Sequence, residues 1–344
     1  MIDLVARSPS MREVLRLAGR VAATDANVLV TGESGAGKDV VAVFVHAMSP
    51  RAMGPFVKID CAALPGELLE AELFGYERGA FTGATAAKPG RLEAAHKGTL
   101  VLDEIAHLTW EAQAKLLRVI ERREFERLGG RHTVRVDARL LALTNVDLET
   151  AVGRRAFRED LFYRLNVVRL RVPPLRERPE DVGPLADGFL EAFAQKHGRP
   201  ARRFAPEARA ALGAYDFPGN VRELANVVER AVILAEGEAL GAEHLPESLL
   251  TAARVSSRRA RRPTLAELEA EYVREVLASA RGNKSEAARV LGISRKNLYE
   301  KLARYEKAGA GCQVPGAGQE PGAAARDETK TAGGDGPLRP APGT

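Results

Sequence analysis

The stretch Val28-Leu-Val-Thr-Gly-Glu-Ser-Gly-Ala-Gly-Lys38 begins with a short apolar, β-branched run and continues as a glycine-rich segment that ends in lysine. The apolar run favours a buried strand, and helical spacing of apolar residues follows over residues 39–48. Glycines between a strand and a helix let backbone N–H groups surround phosphate oxygens, while the helix N-terminus and Lys38 add positive potential. The stretch therefore predicts a phosphate-binding loop. Its candidate nucleotide-binding residues are Gly32, Glu33, Ser34, Gly35, Ala36, Gly37, Lys38 and Asp39.

Three more apolar runs predict strands, over residues 56–60, 99–103 and 139–144. Helical stretches such as residues 110–122 separate them, and strands that alternate with helices indicate an α/β fold with a mostly parallel sheet covered on both faces. Strands are expected to stop at Pro173-Pro174. Three helices are then expected, over about 179–197, 206–214 and 220–235.

The predicted strand over residues 99–103 is followed by a second acid, so that Asp103 and Glu104 lie together at its end. In a parallel sheet, this strand end is expected to lie beside the predicted phosphate-binding loop. A carboxylate in this place can orient a magnesium ion, which we assign to Asp103, and a second can polarise an attacking water, which we assign to Glu104. The alternative is a buried strand with two solvated acids at its end. Six histidines, at 46, 96, 107, 132, 197 and 244, show no spacing typical of metal ligands.

Length and composition limit the class of protein. A chain of 344 residues with 45% hydrophobic and 5% aromatic residues suits two or three aliphatic, helix-rich units. No apolar stretch reaches the ~18 residues of a membrane span, and the N-terminus lacks a secretory pattern, so the cytoplasm is the default location and no membrane partner is expected. The cysteines, Cys61 and Cys312, suggest neither a disulfide nor a metal site, and Cys61 is expected to be buried and inert.

Charge and pattern divide the chain. Residues 1–173 form the predicted α/β unit and residues 174–250 a helical lid, followed by a linker over 251–263, a helical unit over 264–306 and a disordered tail over 307–344. The net charge of +5 is uneven, since residues 251–310 hold 14 Lys and Arg against 7 Asp and Glu. A basic segment on a near-neutral body suggests binding to nucleic acid.

The basic segment contains Gly282-Asn-Lys-Ser-Glu-Ala-Ala-Arg-Val-Leu-Gly-Ile-Ser-Arg-Lys-Asn-Leu-Tyr-Glu-Lys-Leu302. Asn283 and Ser294 can each cap a helix, and Gly292 makes the turn between the two. Ala287, Ala288, Leu291, Leu298 and Leu302 face inward at helical spacing. The outward residues suit the major groove of double-stranded DNA, and an ordinary basic helical hairpin is the alternative. The candidate DNA contacts are Ser294, Arg295, Lys296, Asn297, Tyr299 and Lys301. The amphipathic stretch 264–280, with Leu265, Leu268, Tyr272, Val276 and Leu277, is expected to pair two copies.

Between the phosphate-binding loop and the acidic strand lies Leu73-Phe-Gly-Tyr-Glu-Arg-Gly-Ala-Phe-Thr-Gly-Ala84. This run closely resembles a loop of the bacterial enhancer-binding proteins, which are the AAA+ activators of sigma-54 RNA polymerase. In that family the loop binds the sigma factor. The segment 282–302 resembles their Fis-type helix-turn-helix. Because these motifs occur in the order of the family, the resemblance covers about residues 1–305. It implies an AAA+ P-loop NTPase with a helical lid and a C-terminal all-α DNA-binding domain.

The resemblance also implies roles for particular residues. Arg158 and Arg164 would reach the ATP site of a neighbouring subunit in a homo-oligomeric ring, for which a hexamer is the expected size. Asn145 would read the γ-phosphate, Arg222 would contact the nucleotide from the lid, and the cofactors would be ATP and Mg²⁺. The sigma-contacting residues would be Gly79, Ala80, Phe81, Thr82, Gly83 and Ala84, with Phe81 and Thr82 at the tip of a hairpin-like insertion.

Three positions depart from the pattern of the family. Asp39 stands where the family typically has Glu, and Phe217 stands where it commonly has Trp. Asp60 replaces the usual Asn, and a carboxylate beside Glu104 would repel it or share a proton with it. Residues 1–26 resemble the usual leading segment of the ATPase, and no receiver or ligand-sensing domain is expected before them. Control by a separate regulatory protein is one expectation, and a fragment or misplaced start is the other.

The motifs together predict an ATP-dependent activator that binds upstream DNA and remodels the closed complex of sigma-54 polymerase. One alternative is a DNA-binding regulator of ordinary polymerase that keeps the ATPase as a passive scaffold. Another is an AAA+ remodeller with other targets, such as a helicase loader, which would not need residues 79–84. The presence of Lys38, Glu104, Arg158 and Phe81 favours the sigma-54 activator.

Overall fold

The computed structural model describes residues 5–251, 253 and 264–309. Most of the predicted linker and, from residue 310, the predicted tail lie outside these residues. The chain divides into two compact units, Met1–Arg261 and Arg262–Thr344, and each is described by itself.

A five-stranded parallel sheet forms the centre of the first unit, and three pairs of short strands accompany it. The strands in chain order are β1 Val28–Thr31, β2 Phe56–Asp60, β3 Gly75–Tyr76, β4 Lys88–Pro89, β5 Thr99–Asp103, β6 Glu124–Glu126, β7 Thr133–Arg135, β8 Arg139–Thr144, β9 Val168–Arg171, β10 Arg203–Phe204 and β11 Ala239–Leu240. The order across the main sheet is β2-β5-β8-β1-β9, and every neighbouring pair is parallel. The four predicted strands are present with the predicted bounds.

The edge strand β9 was not among the predicted strands. Its sequence, Val-Arg-Leu-Arg, alternates apolar and charged residues, so Leu170 is buried and the arginines on either side of it are exposed. A run of four residues with two arginines lacks the continuous apolar character of a central strand, although its period of two is the signal that could have identified it.

Helices cover both faces of the sheet. They are α1 Pro9–Ala22, α2 Lys38–Ala47, α3 Gly66–Phe74, α4 Arg91–Ala94, α5 Trp110–Arg122, α6 Leu148–Gly153 and α7 Glu159–Leu165. Successive side chains of each strand point to opposite faces of the sheet and pack in two different hydrophobic clusters. Leu29, Leu100 and Leu102 lie in one cluster, and Val28 and Val101 lie in the other. This alternation is expected of strands that are buried on both faces.

The lid has a separate core and is built from α8 Pro179–His197, α9 Pro206–Gly213 and α10 Asn220–Leu234. These helices confirm the prediction to within one residue at each C-terminus. The prediction that strands stop at Pro174 was wrong, because β10 and β11 form a parallel pair inside the lid. Two-residue strands are too short to produce a periodic signal in the sequence.

The second unit contains α11 Leu265–Ser279, α12 Lys284–Val290 and α13 Arg295–Gly309. Asn283 caps α12 by accepting hydrogen bonds from the amides of Ser285 and Glu286. The predicted inner residues do face inward, since Ala287, Ala288 and Leu298 are buried and Leu291 and Leu302 pack against them. Within the described ranges, every helix is too short or too polar to span a bilayer.

Candidate functional site

The loop between β1 and α2 has the form of an anion cradle. Gly35 and Gly37 adopt φ angles of 73° and 99°, which favour glycine, and α2 begins immediately after Gly37. The buried Lys38 Nζ donates to the carbonyl of Gly32 at 3.0 Å, which holds the ammonium against the loop. Free amides at a helix start and a buried ammonium fit the phosphates of a nucleotide.

Glu104 lies at the centre of the charged groups near this loop. Its Oε1 is 3.5 Å from Lys38 Nζ, and its Oε2 accepts a hydrogen bond from the backbone N–H of Asn145 at 3.1 Å. Its backbone is left-handed, with φ 51° and ψ 51°, which costs a non-glycine residue ~1–2 kcal/mol. Strain of this kind occurs mainly at functional sites. The predicted catalytic acid, lysine and sensor residue are therefore together.

A second ammonium group lies among the acids. Lys58 Nζ is 2.6 Å from Asp39 Oδ1 and 2.8 Å from Asp103 Oδ2, so it bridges the two carboxylates. Burial acts to lower the pKa of Lys58, but the hydrogen bonds to the two acids outweigh it and raise that pKa above its ordinary value. Because a cation already lies between two carboxylate oxygens, this pair fits a magnesium ion. No motif in the sequence pointed to Lys58.

Asp60 is directly across from Asp103 in the register of β2 and β5. Its Oδ1 accepts from the amide of Ala62 at 2.9 Å, so the carboxylate is engaged in the local turn. The predicted repulsion or proton sharing with Glu104 remains a prediction. The adjacent Cys61 is buried, as predicted, and burial together with the nearby carboxylates raises its pKa to about 12, which keeps the thiol protonated.

The lid contacts the loop directly. A Cβ on Gly35 would lie 2.5 Å from the carbonyl oxygen of Gly219, so only glycine permits this approach. Arg222 Nη1 donates to Ser34 Oγ at 2.9 Å, which places the predicted lid arginine at the loop. The buried ring of Phe217, which precedes α10, meets Tyr215 edge-on at 5.0 Å.

Glu33 is the main polar link between loop and lid. Arg176 donates to both of its carboxylate oxygens, at 2.5 and 2.8 Å, and the side-chain Nδ2 of Asn220 donates to it at 3.1 Å. These hydrogen bonds lower the pKa of Glu33 to about 2. Arg176 and Asn220 were missed in the sequence, because their role depends on contacts with residues more than 140 positions away.

Another buried polar connection joins the loop to the chain before α1. Arg178 donates to the carbonyl of Ala36 at 2.5 Å, and it lies 3.9 Å from Asp181. The carboxylate of Asp181 accepts from the amides of Arg7 and Ser8 and from the Ser8 hydroxyl. All these groups except Arg7 are buried, so this connection fixes the position of the loop relative to the lid.

Arg158 and Arg164, which are predicted to reach the ATP site of a neighbouring subunit, take no part in the contacts of the phosphate-binding loop described above. Arg158 forms a two-point contact with Asp160, at 3.1 and 2.9 Å, and its guanidinium lies 5.3 Å from the centre of the Trp110 ring. Trp110 begins α5, as predicted, but 46% of it is exposed. Arg164 is exposed and pairs with Glu121 at 3.2 Å.

The predicted sigma-contacting loop extends from a short hairpin. Strands β3 and β4 pair at its base, and the amide of Gly79 donates to the carbonyl of Ala84 across the loop at 2.8 Å. Thr82 is exposed, and Phe81 is 42% exposed with its ring edge-on to Tyr76 at 4.9 Å. Phe81 is thus presented to solvent, although Tyr76 supports one side of it.

A second hairpin, β6–β7, supports the first. A Cβ on Gly129 would approach Ala80 within 2.8 Å, and the amide of Glu77 donates to the carbonyl of Leu128 at 2.9 Å. Arg127 also pairs with Glu77 and with Glu93. The loop tip therefore extends from two hairpins that are joined to each other.

In the second unit, Ser294 caps α13 by accepting from the amide of Asn297, and Arg295, Lys296 and Asn297 are exposed. Tyr299 is half-exposed beneath the Lys284 ammonium, which is 4.6 Å from its ring centre. The expectation that Lys301 projects outward was wrong, because this half-buried side chain pairs with Glu269 of α11. On α11, Val276 is buried and Leu277 packs with it, whereas Leu265 and Tyr272 are exposed.

Comparison with known proteins agrees with this arrangement. Residues 4–171 match the sigma-54 interaction domain, residues 176–262 match the AAA+ ATPase lid domain, and residues 264–305 match the Fis family of bacterial regulatory proteins. The fold and the site together define an AAA+ P-loop NTPase that carries a helix-turn-helix unit. The chain belongs to the family of sigma-54-dependent transcriptional activators, which confirms the predicted family and fold class.

Several curated relatives match most of the chain. Transcriptional regulatory protein FlbD of Caulobacter vibrioides is 45% identical over 328 residues, which cover 91% of this chain and 72% of FlbD. Regulatory protein AtoC of Escherichia coli K12 is 44% identical over 310 residues, covering 88% of this chain and 67% of AtoC. AlgB of Pseudomonas aeruginosa, an alginate biosynthesis transcriptional regulatory protein, is 48% identical over 302 residues, with shares of 88% and 67%.

Crystal structures of NtrX from Brucella abortus resemble this chain as well. The complex of NtrX with ATP is 37% identical, with a TM-score of 0.68 over 89% of this chain and 70% of NtrX. The ADP complex is 38% identical, with the same TM-score over 88% of this chain and 70% of NtrX.

Proposed function

We propose that this protein binds ATP, hydrolyses it, and uses the energy to remodel the closed promoter complex of sigma-54 RNA polymerase. The observation that carries the proposal is the loop of residues 79–84, which presents Phe81 and Thr82 to solvent from the same α/β unit that contains Lys38 and Glu104. An apolar ring held at a solvated tip favours a partner that receives it. The proposed partner is the sigma-54 subunit.

The residues around the loop have separate roles in the proposed hydrolysis. The amides of the loop and Lys38 bind the phosphates, and Arg222 contacts the nucleotide from the lid. Glu104 orients and polarises the attacking water, and Asn145 reads the γ-phosphate. Asp103, together with Asp39, would hold a magnesium ion, which when bound neutralises charge on the phosphates.

Arg158 and Arg164 act in trans in this proposal. An arginine supplied to the transferring phosphoryl group from another subunit raises the rate by ~10³–10⁵. Efficient hydrolysis would therefore require a homo-oligomeric ring, with a hexamer as the expected size. The exposure of Arg164 and the location of Arg158 beside the exposed Trp110 support a place at a subunit boundary.

The second unit supplies DNA binding. Ser294, Arg295, Lys296, Asn297 and Tyr299 are the proposed contacts to double-stranded DNA upstream of the promoter, and Lys301 is retained as a contact only if it leaves Glu269. The exposed Leu265, Leu268 and Tyr272 would pair two copies, which predicts paired half-sites. Because Arg and Lys dominate this surface, affinity for DNA should fall steeply with salt.

Single-round transcription with sigma-54 holoenzyme tests the proposal. The template carries an upstream binding site, and each reaction contains ATP or a non-hydrolysable analogue. Open complexes should form only with ATP and should be absent with Lys38→Ala and Glu104→Gln proteins, of which Glu104→Gln should still bind nucleotide. Open complexes without hydrolysis would instead support the passive scaffold. ATP hydrolysis without any response of the sigma-54 holoenzyme would support a remodeller with another target.

A further inference from the structure

Lys58 makes the closest contacts to the two carboxylates proposed to hold the metal. Its ammonium is 2.8 Å from Asp103 and 2.6 Å from Asp39, whereas Lys38 contacts the loop carbonyls and Glu104. The two lysines therefore serve different acids. Lys38 belongs to the phosphate side of the site and Lys58 to the metal side.

The position of Lys58 follows from the sheet. It lies on the edge strand β2, two residues before Asp60, and β2 pairs in register with β5, which ends in Asp103. Asp39 is in the first turn of α2. The ammonium thus spans a gap between a strand end and a helix start, and 37% of the side chain is exposed, which gives it solvent to move into.

We propose that Lys58 is an internal counter-ion that a divalent metal must displace, so that the metal enters this site together with the nucleotide phosphates rather than before them. This inference rests on the proposed nucleotide site. A divalent ion at Asp103 and Asp39 would lie within a few ångströms of the ammonium, and like charges at such a distance repel strongly. Free metal therefore binds weakly while Lys58 is in place.

Nucleotide changes this balance. Phosphates add several negative charges beside Lys38, supply oxygen ligands to the metal and offer the displaced Lys58 ammonium a new anionic partner. Within the part of the chain that the structure describes, no group of three or more His, Cys, Asp or Glu side chains could hold a metal ion. Two carboxylates completed by substrate phosphates is the arrangement that magnesium commonly takes.

The test measures Mn²⁺ binding to the chain of 344 residues without nucleotide, by the loss of the free-ion electron paramagnetic resonance signal. Mn²⁺ is suitable because it shares the preference of Mg²⁺ for oxygen ligands. Lys58→Met keeps the length of the side chain and removes the charge, and it should bind Mn²⁺ about ten-fold more tightly than the wild type, or tighter still. Lys58→Arg, which keeps the charge, should resemble the wild type.

Two further variants locate the effect. Lys115→Met removes an ammonium that pairs with Glu70 at 2.8 Å elsewhere on the same unit, and it should leave Mn²⁺ affinity unchanged. Asp103→Asn combined with Lys58→Met should abolish the gain. When ADP is added, the affinities of wild type and Lys58→Met for Mn²⁺ should converge.

Equal Mn²⁺ affinity of the wild type and Lys58→Met would overturn the proposal, as would a difference that persists with ADP. Binding of a fluorescent ADP analogue in the presence of a chelator separates this failure from that of the proposed function. If the analogue binds normally and only the Mn²⁺ result fails, Lys58 has no such role. If neither the wild type nor any variant binds the analogue, the proposed nucleotide site itself is refuted.

Discussion

At the scale of single residues, the site is a set of charges that already have partners. Glu104 is fixed by Lys38 and by the amide of Asn145, and its left-handed backbone limits its freedom further. A carboxylate constrained in this way would lose little entropy in taking up the proposed catalytic role. Small changes of charge near it should therefore affect rate and affinity more than stability.

Replacing Asp60 by the Asn that is usual in the family should change catalysis. An Asn side chain can still accept the hydrogen bond from Ala62, and it removes one negative charge near Asp103 and the incoming phosphates. We expect KM for ATP to fall by about two- to five-fold in Asp60→Asn, with a change in hydrolysis rate or in promoter opening. Steady-state ATPase assays and open-complex assays measure this. Identical kinetics and promoter opening in the two proteins would remove any special role for Asp60.

Arg158 offers a direct optical test, since Trp110 is the one tryptophan of the chain. Arg158→Ala uncovers the ring, so the fluorescence emission of Trp110 should shift to longer wavelength. Arg164→Ala, whose arginine pairs with Glu121, should leave the emission unchanged. Both variants should hydrolyse ATP at least ~10³-fold more slowly. An unaltered spectrum in Arg158→Ala would mean that the guanidinium does not cover Trp110 in solution.

At the scale of elements, the β3–β4 hairpin, its loop and the β6–β7 hairpin pack together as one structural unit. The β3–β4 hairpin carries the loop of residues 79–84, and the β6–β7 hairpin packs behind it through Gly129 and Arg127. Because the two hairpins share backbone hydrogen bonds, we expect a movement of one to be transmitted to the other. The residues at the tip are mostly exposed, which suits the proposed binding and release of the sigma-54 subunit.

Thr82→Ala should retain ATP hydrolysis but lose the promoter opening that hydrolysis is proposed to drive. Thr82 is exposed and distant in the chain from the proposed catalytic residues, so ATPase activity should be within about two-fold of the wild type, as for an ordinary surface substitution. Open-complex formation with sigma-54 holoenzyme should be lost. The matched control is Thr85→Ala, which changes an exposed threonine just outside the loop and should retain both activities. Normal promoter opening by Thr82→Ala would refute the assignment of the tip.

At the scale of the whole molecule, the first unit combines an α/β core and a lid whose contacts meet at the phosphate-binding loop. Gly219 and Arg222 approach the loop from the lid, and Arg176 and Asn220 reach Glu33 from the connecting segment and from α10. The loop is thus held by both parts. A change in how the lid docks should alter nucleotide binding and stability together.

Glu33→Gln should weaken this docking in a pH-dependent way. The folded-state pKa of Glu33, about 2, lies below its ordinary value of 4.5, so its stabilising effect is present above pH 4.5 and is lost as pH falls toward 2. Because 42% of the Glu33 side chain is exposed, solvent screens the ion pair, so at pH 7 the variant should lose only about 1 kcal/mol and melt ~2–4 °C below the wild type.

Thermal unfolding from pH 7 to pH 3 measures this difference, which should shrink below pH 4.5. Glu149→Gln removes an exposed ion pair with Arg169 and serves as the control for a surface contact away from the lid. A difference between wild type and Glu33→Gln that is constant down to pH 3 would show that the Arg176 pair does not hold the lid.

The amino-acid sequence by itself determined the local features of this protein. Four of the five strands of the main sheet, the helices of the lid, the caps at Asn283 and Ser294 and the phosphate-binding loop follow from spacings within a few residues, and such short-range patterns are set by backbone geometry. The family also follows from short motifs in a fixed order. The strand β9 was not predicted because two of its four residues are arginines, which break the continuous apolar run expected of a buried strand.

Only the tertiary structure decided which distant side chains meet. Lys58 bridges Asp39 and Asp103 because β2 lies beside β5, and Arg176 reaches Glu33 because the lid docks on the loop. The same holds for Lys301, which pairs with Glu269 because α11 packs against α13. These contacts depend on sheet order and helix packing, which bring together residues separated by tens to hundreds of positions, and no local spacing encodes them.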